Sequence, residues 1–225
     1  MKKVIILILQ ATLILALAAC STASAETTDP ASISQVSAGS EAVAATVETV
    51  PLSVSYSTED LSPVSDSSAT SFIKLEGDSI TVEGTGATVS GNIVNVTAAG
   101  MYDISGTLNN GQVVVNTEDE ATVTLVLNGA TITNSTSAPI YVKSADKTVI
   151  TLADGTQNIV TDGTSYVFES AETDEPNAAI FSDDDLTING NGALTVNANY
   201  NNGIATDDDL KITGGVITVN AVNDG

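Results

Sequence analysis

The chain has 225 residues, with 28 acidic and 6 basic side chains, a net charge of −22, and no arginine, histidine or tryptophan. Nucleic acid is excluded as a partner, because phosphate binding needs clustered Lys and Arg. Zinc sites and Ser-His-Asp or Cys-His chemistry are excluded by the missing histidine and the single cysteine.

Met1-Lys2-Lys3 followed by the apolar run Val4 to Ala19 reads as a positively charged start and an export signal. The run is interrupted by Gln10 and Thr12 and is too short to span a bilayer comfortably. It ends Leu17-Ala18-Ala19-Cys20, which resembles the bacterial lipobox. The resemblance implies cleavage after residue 19 and a lipid on Cys20, so the protein is expected to be exported and tied to the bacterial membrane at the cell surface. Cleavage near Ala23 or Ala25 is the alternative. A lone cysteine leaves no internal disulfide framework.

Residues 20–71 are rich in Ser, Thr, Ala, Glu and Val, with Pro30, Pro51 and Pro63 as breakers, and are expected to be a flexible linker. From Phe72 the pattern changes to short apolar strands separated by glycine turns, among them Gly84-Thr85-Gly86 and Asn110-Gly111. The first strands are expected to form a cap, since the end of a stacked array needs a unit unlike the interior ones. Thr161 to Pro176 carries five acids and no base, and reads as a long loop and a second place for a cation.

Phe181 to Gly225 writes one strand–turn unit twice. Ser182-Asp183-Asp184-Asp185-Leu186-Thr187-Ile188 returns as Thr206-Asp207-Asp208-Asp209-Leu210-Lys211-Ile212, a shift of 24. Leu194 to Ala198 returns at Ile217 to Ala221, a shift of 23, and Tyr200 to Gly203 at Val222 to Gly225, a shift of 22. Such a period marks stacked repeats. No helical pattern long enough for a βαβ crossover lies between the strands, so the units are expected to stack as coils of a parallel β-helix over residues 72–225, each roughly 22–25 residues long. Leu186 and Ile188 should face inward, Thr187 and Asn189 outward. The hexapeptide left-handed coil and the glycine–aspartate nonapeptide roll do not fit the spacing. The chain stops at Asp224-Gly225, where another strand is due, which reads as a solenoid interrupted at its C-terminus.

Stacking sets Asp183, Asp184 and Asp185 against Asp207, Asp208 and Asp209, about 4.8 Å apart. Two unit charges at that distance repel by about 3.5 kcal/mol at an effective dielectric of 20. Hard oxygen ligands in register suit Ca²⁺. Asn202 and Asp224, equivalent positions before their glycines, are the next expected ligands. The competing reading is a set of solvated turn aspartates.

From about Ile80 to Gly225 the chain resembles a family of bacterial surface carbohydrate-binding domains, pectate-lyase-like right-handed parallel β-helices. Val123 to Gly129, Ala178 to Ser182, Asp184 to Ile188, Gly203-Ile204 and Asp208 to Gly215 carry the resemblance. It implies an all-β fold, bound calcium, and affinity for plant cell-wall polysaccharide, including acidic pectic polymers and cellulose. Acidic sugars would dock through calcium held by the aspartates. Tyr200, in a turn, is the aromatic candidate for a sugar contact. A calcium-dependent lyase using Lys211 as base is an alternative, as is a structural or adhesive surface protein stiffened by calcium. Lys211 is expected to face solvent, beside carboxylates that would hold its pKa too high for a base.

Overall fold

The computed structural model describes residues 54–63, 69, 71–168 and 170–223. The export signal, Cys20, most of the linker and Asp224 lie outside the described residues. Among these residues the fold is all-β apart from one short helix, α1 (Thr58–Leu61). No helix among them is long and apolar enough to cross a membrane.

The first described strands form two antiparallel pairs. β1 (Ser71–Gly77) pairs with β2 (Ile80–Glu83), and β3 (Ala87–Ser90) with β4 (Ile93–Val96). Every other pairing among the described strands is parallel, and the pairs join a ten-stranded and a six-stranded sheet. The hairpins stand at one end of each sheet, so the expected cap is a change from parallel to antiparallel pairing.

Three parallel ladders follow from the registers. The first stacks the N-terminal halves of β5 (Gly100–Leu108) and β7 (Val123–Thr133) on β9 (Thr148–Leu152), β12 (Leu186–Gly190) and β15 (Leu210–Ile212). The second stacks the C-terminal half of β7 on β10 (Gln157–Thr161), β13 (Ala193–Ala198) and β16 (Val216–Ala221). The third runs β4, β6 (Gln112–Asn116), β8 (Ile140–Ser144), β11 (Ala178–Ser182) and β14 (Asn202–Thr206). β5 and β7 turn the corner between the first two ladders without a break, and their pairing slips at that corner. The slip leaves the N–H groups of Gly129 and Ala130 without ladder partners. Asn158 Oδ1 accepts both, at 3.0 and 2.9 Å.

Alternation places one apolar stack inside each ladder. Leu125, Ile150, Ile188 and Ile212 are successive partners in the first, Val113, Ile140, Ile180 and Ile204 in the third. The interior is aliphatic, with Leu127, Ile132, Leu152, Leu194 and Val196 buried beside these stacks. The repeat read from the sequence is the register observed: Leu186 pairs with Leu210 and Leu194 with Ile217. Leu210, Ile212 and Val216 in the last described layer are exposed.

Two features lie beyond the repeat. Thr187 and Asn189 do point away from the interior but are buried, because residues 54–63 lie over them. The start of the ordered unit therefore precedes residue 72: α1 carries a complete capping box (Ser57 and Asp60) and contacts β12. The reason is a single buried carboxylate, Asp60, which no hydrophobic pattern reveals.

Candidate functional site

The aspartate turns stack as expected. Ser182 pairs with Thr206 at the end of the third ladder and Leu186 with Leu210 at the start of the first, so Asp183–Asp185 lies against Asp207–Asp209. Backbone bonds hold the two turns together: Asp207 N donates to Ser182 O (3.0 Å) and Leu186 N to Asp209 O (2.9 Å). The six carboxylates do not share one task. Asp184 Oδ2 accepts from Ala145 N at 2.9 Å and Asp185 Oδ1 from Asp209 N at 3.2 Å, which is ordinary turn work. Asp208 N donates to Thr206 Oγ1 (3.2 Å), and Asp209 lies 3.7 Å from Lys211.

Asp183 is the member under electrostatic load. Burial first, then Asp207 and Glu175, push its carboxyl up to about 6, against the opposing hydrogen bond from Tyr141 Oη (3.4 Å). Glu175 is raised as well, by burial and by Asp207 and Asp174. Among the described residues no three His, Cys, Asp or Glu side chains stand close enough to hold a metal ion. The donor chemistry thus suits a hard cation while the number of converging carboxylates falls short. Asn202 does not belong to this corner. It begins β14 whereas Asp207 follows its end, about 16 Å away at 3.3 Å per residue. Its side chain donates to Asn177 Oδ1 (3.2 Å) and accepts from Asn223 (3.3 Å) in an asparagine ladder. Lys211 is not solvated as expected: its side chain is 16 % exposed and sits 3.9 Å from the fully buried Asp60 carboxylate.

Tyr200 stacks on Tyr166 with ring centroids 4.2 Å apart and planes 15° apart, and meets Phe168 edge-on at 6.3 Å. Tyr166 Oη lies 2.9 Å from Asp162 Oδ2 and 3.1 Å from Ala178 O, and burial raises the Asp162 carboxyl. One face of Tyr200 is therefore spent on fastening the 162–177 loop to the ladders.

That loop builds a groove that reading the repeats did not reveal. Val167 N donates to Thr136 O (2.8 Å), which folds the loop back over the outer face of the third ladder. Between them is a cavity of about 550 Å³, within the range of small-molecule sites. Its floor is the outward row of three strands: Asn95 from β4, Gln112 and Val114 from β6, Tyr141 and Lys143 from β8. Asn92, Asn110 and Asn134 close one side; Phe168, Thr173, Glu175 and Pro176 close the other. Several amides are held by one end. Asn110 Oδ1 accepts from Ser135 N (3.0 Å) and Oγ (3.1 Å), and Gln112 Nε2 donates to Ala138 O (2.7 Å). Lys143 Nζ lies 5.4 Å from the Tyr141 ring centre, a cation–π distance. Glu175 and Tyr141 belong to the groove and also act on Asp183, so groove and acidic corner adjoin. Side-chain amides offer a donor and an acceptor side by side, the pattern that matches neighbouring hydroxyls, and Tyr141 and Phe168 add apolar faces. The only signal in the sequence is a polar residue at alternate outward positions, which solvent-facing strands share.

Residues 90–225 match the model of the family described as carbohydrate-binding domain-containing protein, and the chain belongs to that family. A carbohydrate-binding domain-containing protein of Acetivibrio thermocellus is 51 % identical over 161 residues, covering 71 % of this chain and 56 % of the relative. Among solved structures, the gadolinium derivative of the polysaccharide lyase-like protein from C. thermocellum matches with a TM-score of 0.68 and 52 % identity. That match covers 69 % of this chain and 63 % of the other. The chain thus spans less than two thirds of either relative's length.

Proposed function

We propose that this domain binds a cell-wall polysaccharide, and that the sugar chain lies in the groove over the third ladder. One observation carries the reading: amides of Asn92, Asn95, Asn110 and Gln112 line a groove of about 550 Å³ together with Tyr141 and Phe168. Sugars need that combination of paired donors and acceptors with an apolar face. Lys143, on the groove floor, suits the carboxylate of an acidic pectic sugar. Tyr200 serves as a buttress behind the loop rather than as the sugar platform.

Three finer readings accompany this one. The ladders wind as a right-handed parallel β-helix, the hand that parallel crossovers favour. A calcium ion bound by Asp183 and Asp207, with Glu175 swinging in, would relieve the repulsion there and bridge to a uronate at the end of the groove. Export and a lipid on Cys20 would place the domain at the cell surface.

The test is retention of the chain on insoluble cellulose and on immobilised polygalacturonate, with calcium and with chelator. Tyr141→Ala and Asn110→Ala should each weaken retention at least tenfold, measured below the melting temperature of each variant because Tyr141 also packs on Phe181 and Asn110 also holds Ser135. Lys143→Met should weaken only the acidic polymer. Wild-type retention by folded Tyr141→Ala and Asn110→Ala variants would remove the groove from the account.

A further inference from the structure

The outer face of the first ladder is covered by residues 54–63, yet very little of that segment is packed. Asp60 is its one buried residue, while Val54, Tyr56 and Leu61 are 50, 51 and 60 % exposed. The contacts that anchor its one buried residue are polar, and the donors come from the ladder. Lys147 Nζ pairs with Asp60 Oδ1 and donates to Ser57 Oγ (3.0 Å); Lys211 Nζ lies 3.9 Å from Asp60 Oδ2. Thr187 Oγ1 donates to Asp60 Oδ1 (2.6 Å), Asn189 Nδ2 to Glu59 O (2.9 Å), and Thr213 Oγ1 to Asp60 O. These five side chains stand on three successive layers, just before β9, in β12, and in or just after β15. A carboxylate is therefore gripped between two lysines and a hydroxyl on a face of matching donors. Lysine is scarce here: of six, two are Lys2 and Lys3, and two of the remaining four converge on this one carboxylate. On a chain of charge −22, two converging lysines suit an external anion.

We propose that the outer face of the first ladder is a second carboxylate-binding site, occupied in cis by Asp60, and that a uronate of an acidic polysaccharide displaces the segment and takes its place. The proposal rests on the polysaccharide-binding reading for its ligand class but not on the groove. A uronate carboxylate replaces Asp60 between Lys147 and Lys211, and sugar hydroxyls replace the carbonyls now bonded to Asn189 and Thr213. The exchange conserves charge and hydrogen bonds, and buries no exposed apolar group of the segment. Its cost is the local concentration of a tethered competitor, so the apparent affinity is lowered by the fraction of molecules with the segment lifted. Removing the Asp60 charge should raise that fraction.

The full chain is tested in 150 mM salt, with and without chelator, using oligogalacturonate and a neutral cello-oligosaccharide as probes. Saturating oligogalacturonate should speed amide hydrogen exchange at Ser57, Asp60 and Ser62 at least tenfold, with no effect of the neutral probe. Asp60→Asn should bind oligogalacturonate at least tenfold more tightly, and adding Lys147→Met and Lys211→Met should abolish the gain. Unchanged exchange in residues 54–63 at saturation overturns the proposal, as does a folded Asp60→Asn variant that binds no more tightly. If Asp60→Asn does not fold, the exchange measurement on the wild type decides. A wrong groove reading shows separately, as neutral-polymer retention insensitive to Tyr141→Ala, and leaves the exchange result untouched.

Discussion

Asp183→Asn should stabilise the metal-free protein at neutral pH. The Asp183 carboxyl is pushed up to about 6 by burial and by Asp207 and Glu175. A carboxylate raised in the folded state holds its proton more firmly there than when unfolded, so stability falls as pH rises from about 4 to about 6 and then levels off. At about 1.4 kcal/mol per tenfold difference in proton affinity, the upper bound is about 3 kcal/mol. Partial exposure reduces it to about 1–2 kcal/mol. The amide keeps the shape, removes the charge and should recover that amount at pH 7.5. For the unit Leu52–Gly225 this corresponds to a melting temperature higher by roughly 2–8 °C. At pH 4, where folded Asp183 is protonated, the variant and wild type should melt together. Calorimetric melts at both pH values in chelator measure this. Repeating them in millimolar calcium tests the ion: a ligand at 100 times its dissociation constant adds about 2.7 kcal/mol to the wild type. The variant should gain less, reversing the order. An Asp183→Asn protein that melts at or below the wild type at pH 7.5 in chelator would refute the claim that these carboxylates repel. Equal calcium shifts for both proteins would remove the ion from this corner.

Three further outcomes test the architecture. Gly190 (φ +100°) turns the corner from β12 to β13, and a Cβ there would meet Leu152 O at 2.2 Å; Gly190→Ala should cost about 3 kcal/mol. Gly129 (φ +75°) faces open space, so Gly129→Ala should cost only about 1 kcal/mol, and urea midpoints separate the two. Asn158→Ala strands the buried N–H of Ala130 and the part-buried N–H of Gly129 at the corner slip and should cost about 1–3 kcal/mol by the same measurement. Ile150, between Leu125 and Ile188, should cost about 2–5 kcal/mol on truncation to Ala, whereas Ile212, the 54 % exposed member of the same stack, should cost under about 1 kcal/mol; thermal melts rank them.

The sequence alone determined the pairing of the last two layers. Side-chain alternation and a repeated Asp-Asp-Asp-Leu turn leave one register that buries Leu186 over Leu210 and Leu194 over Ile217, since a one-residue slip would turn every apolar side chain outward. It also determined that the aspartate turns stack, because they are bounded on both sides by strands already in register. Tertiary structure decided what each polar residue does. Asp184 and Asp185 serve the turns while Asp183 and Asp207 face each other, a division set by Ala145 and Tyr141, which lie far back in the chain. Outward Thr, Asn and Gln read alike in one dimension, yet Thr187 lies beneath Asp60 and Gln112 lies in a groove. Where a loop folds back over a face, and where a lone carboxylate finds two lysines, depends on contacts between distant segments. Such contacts follow from the three-dimensional path of the chain, and no local period encodes them.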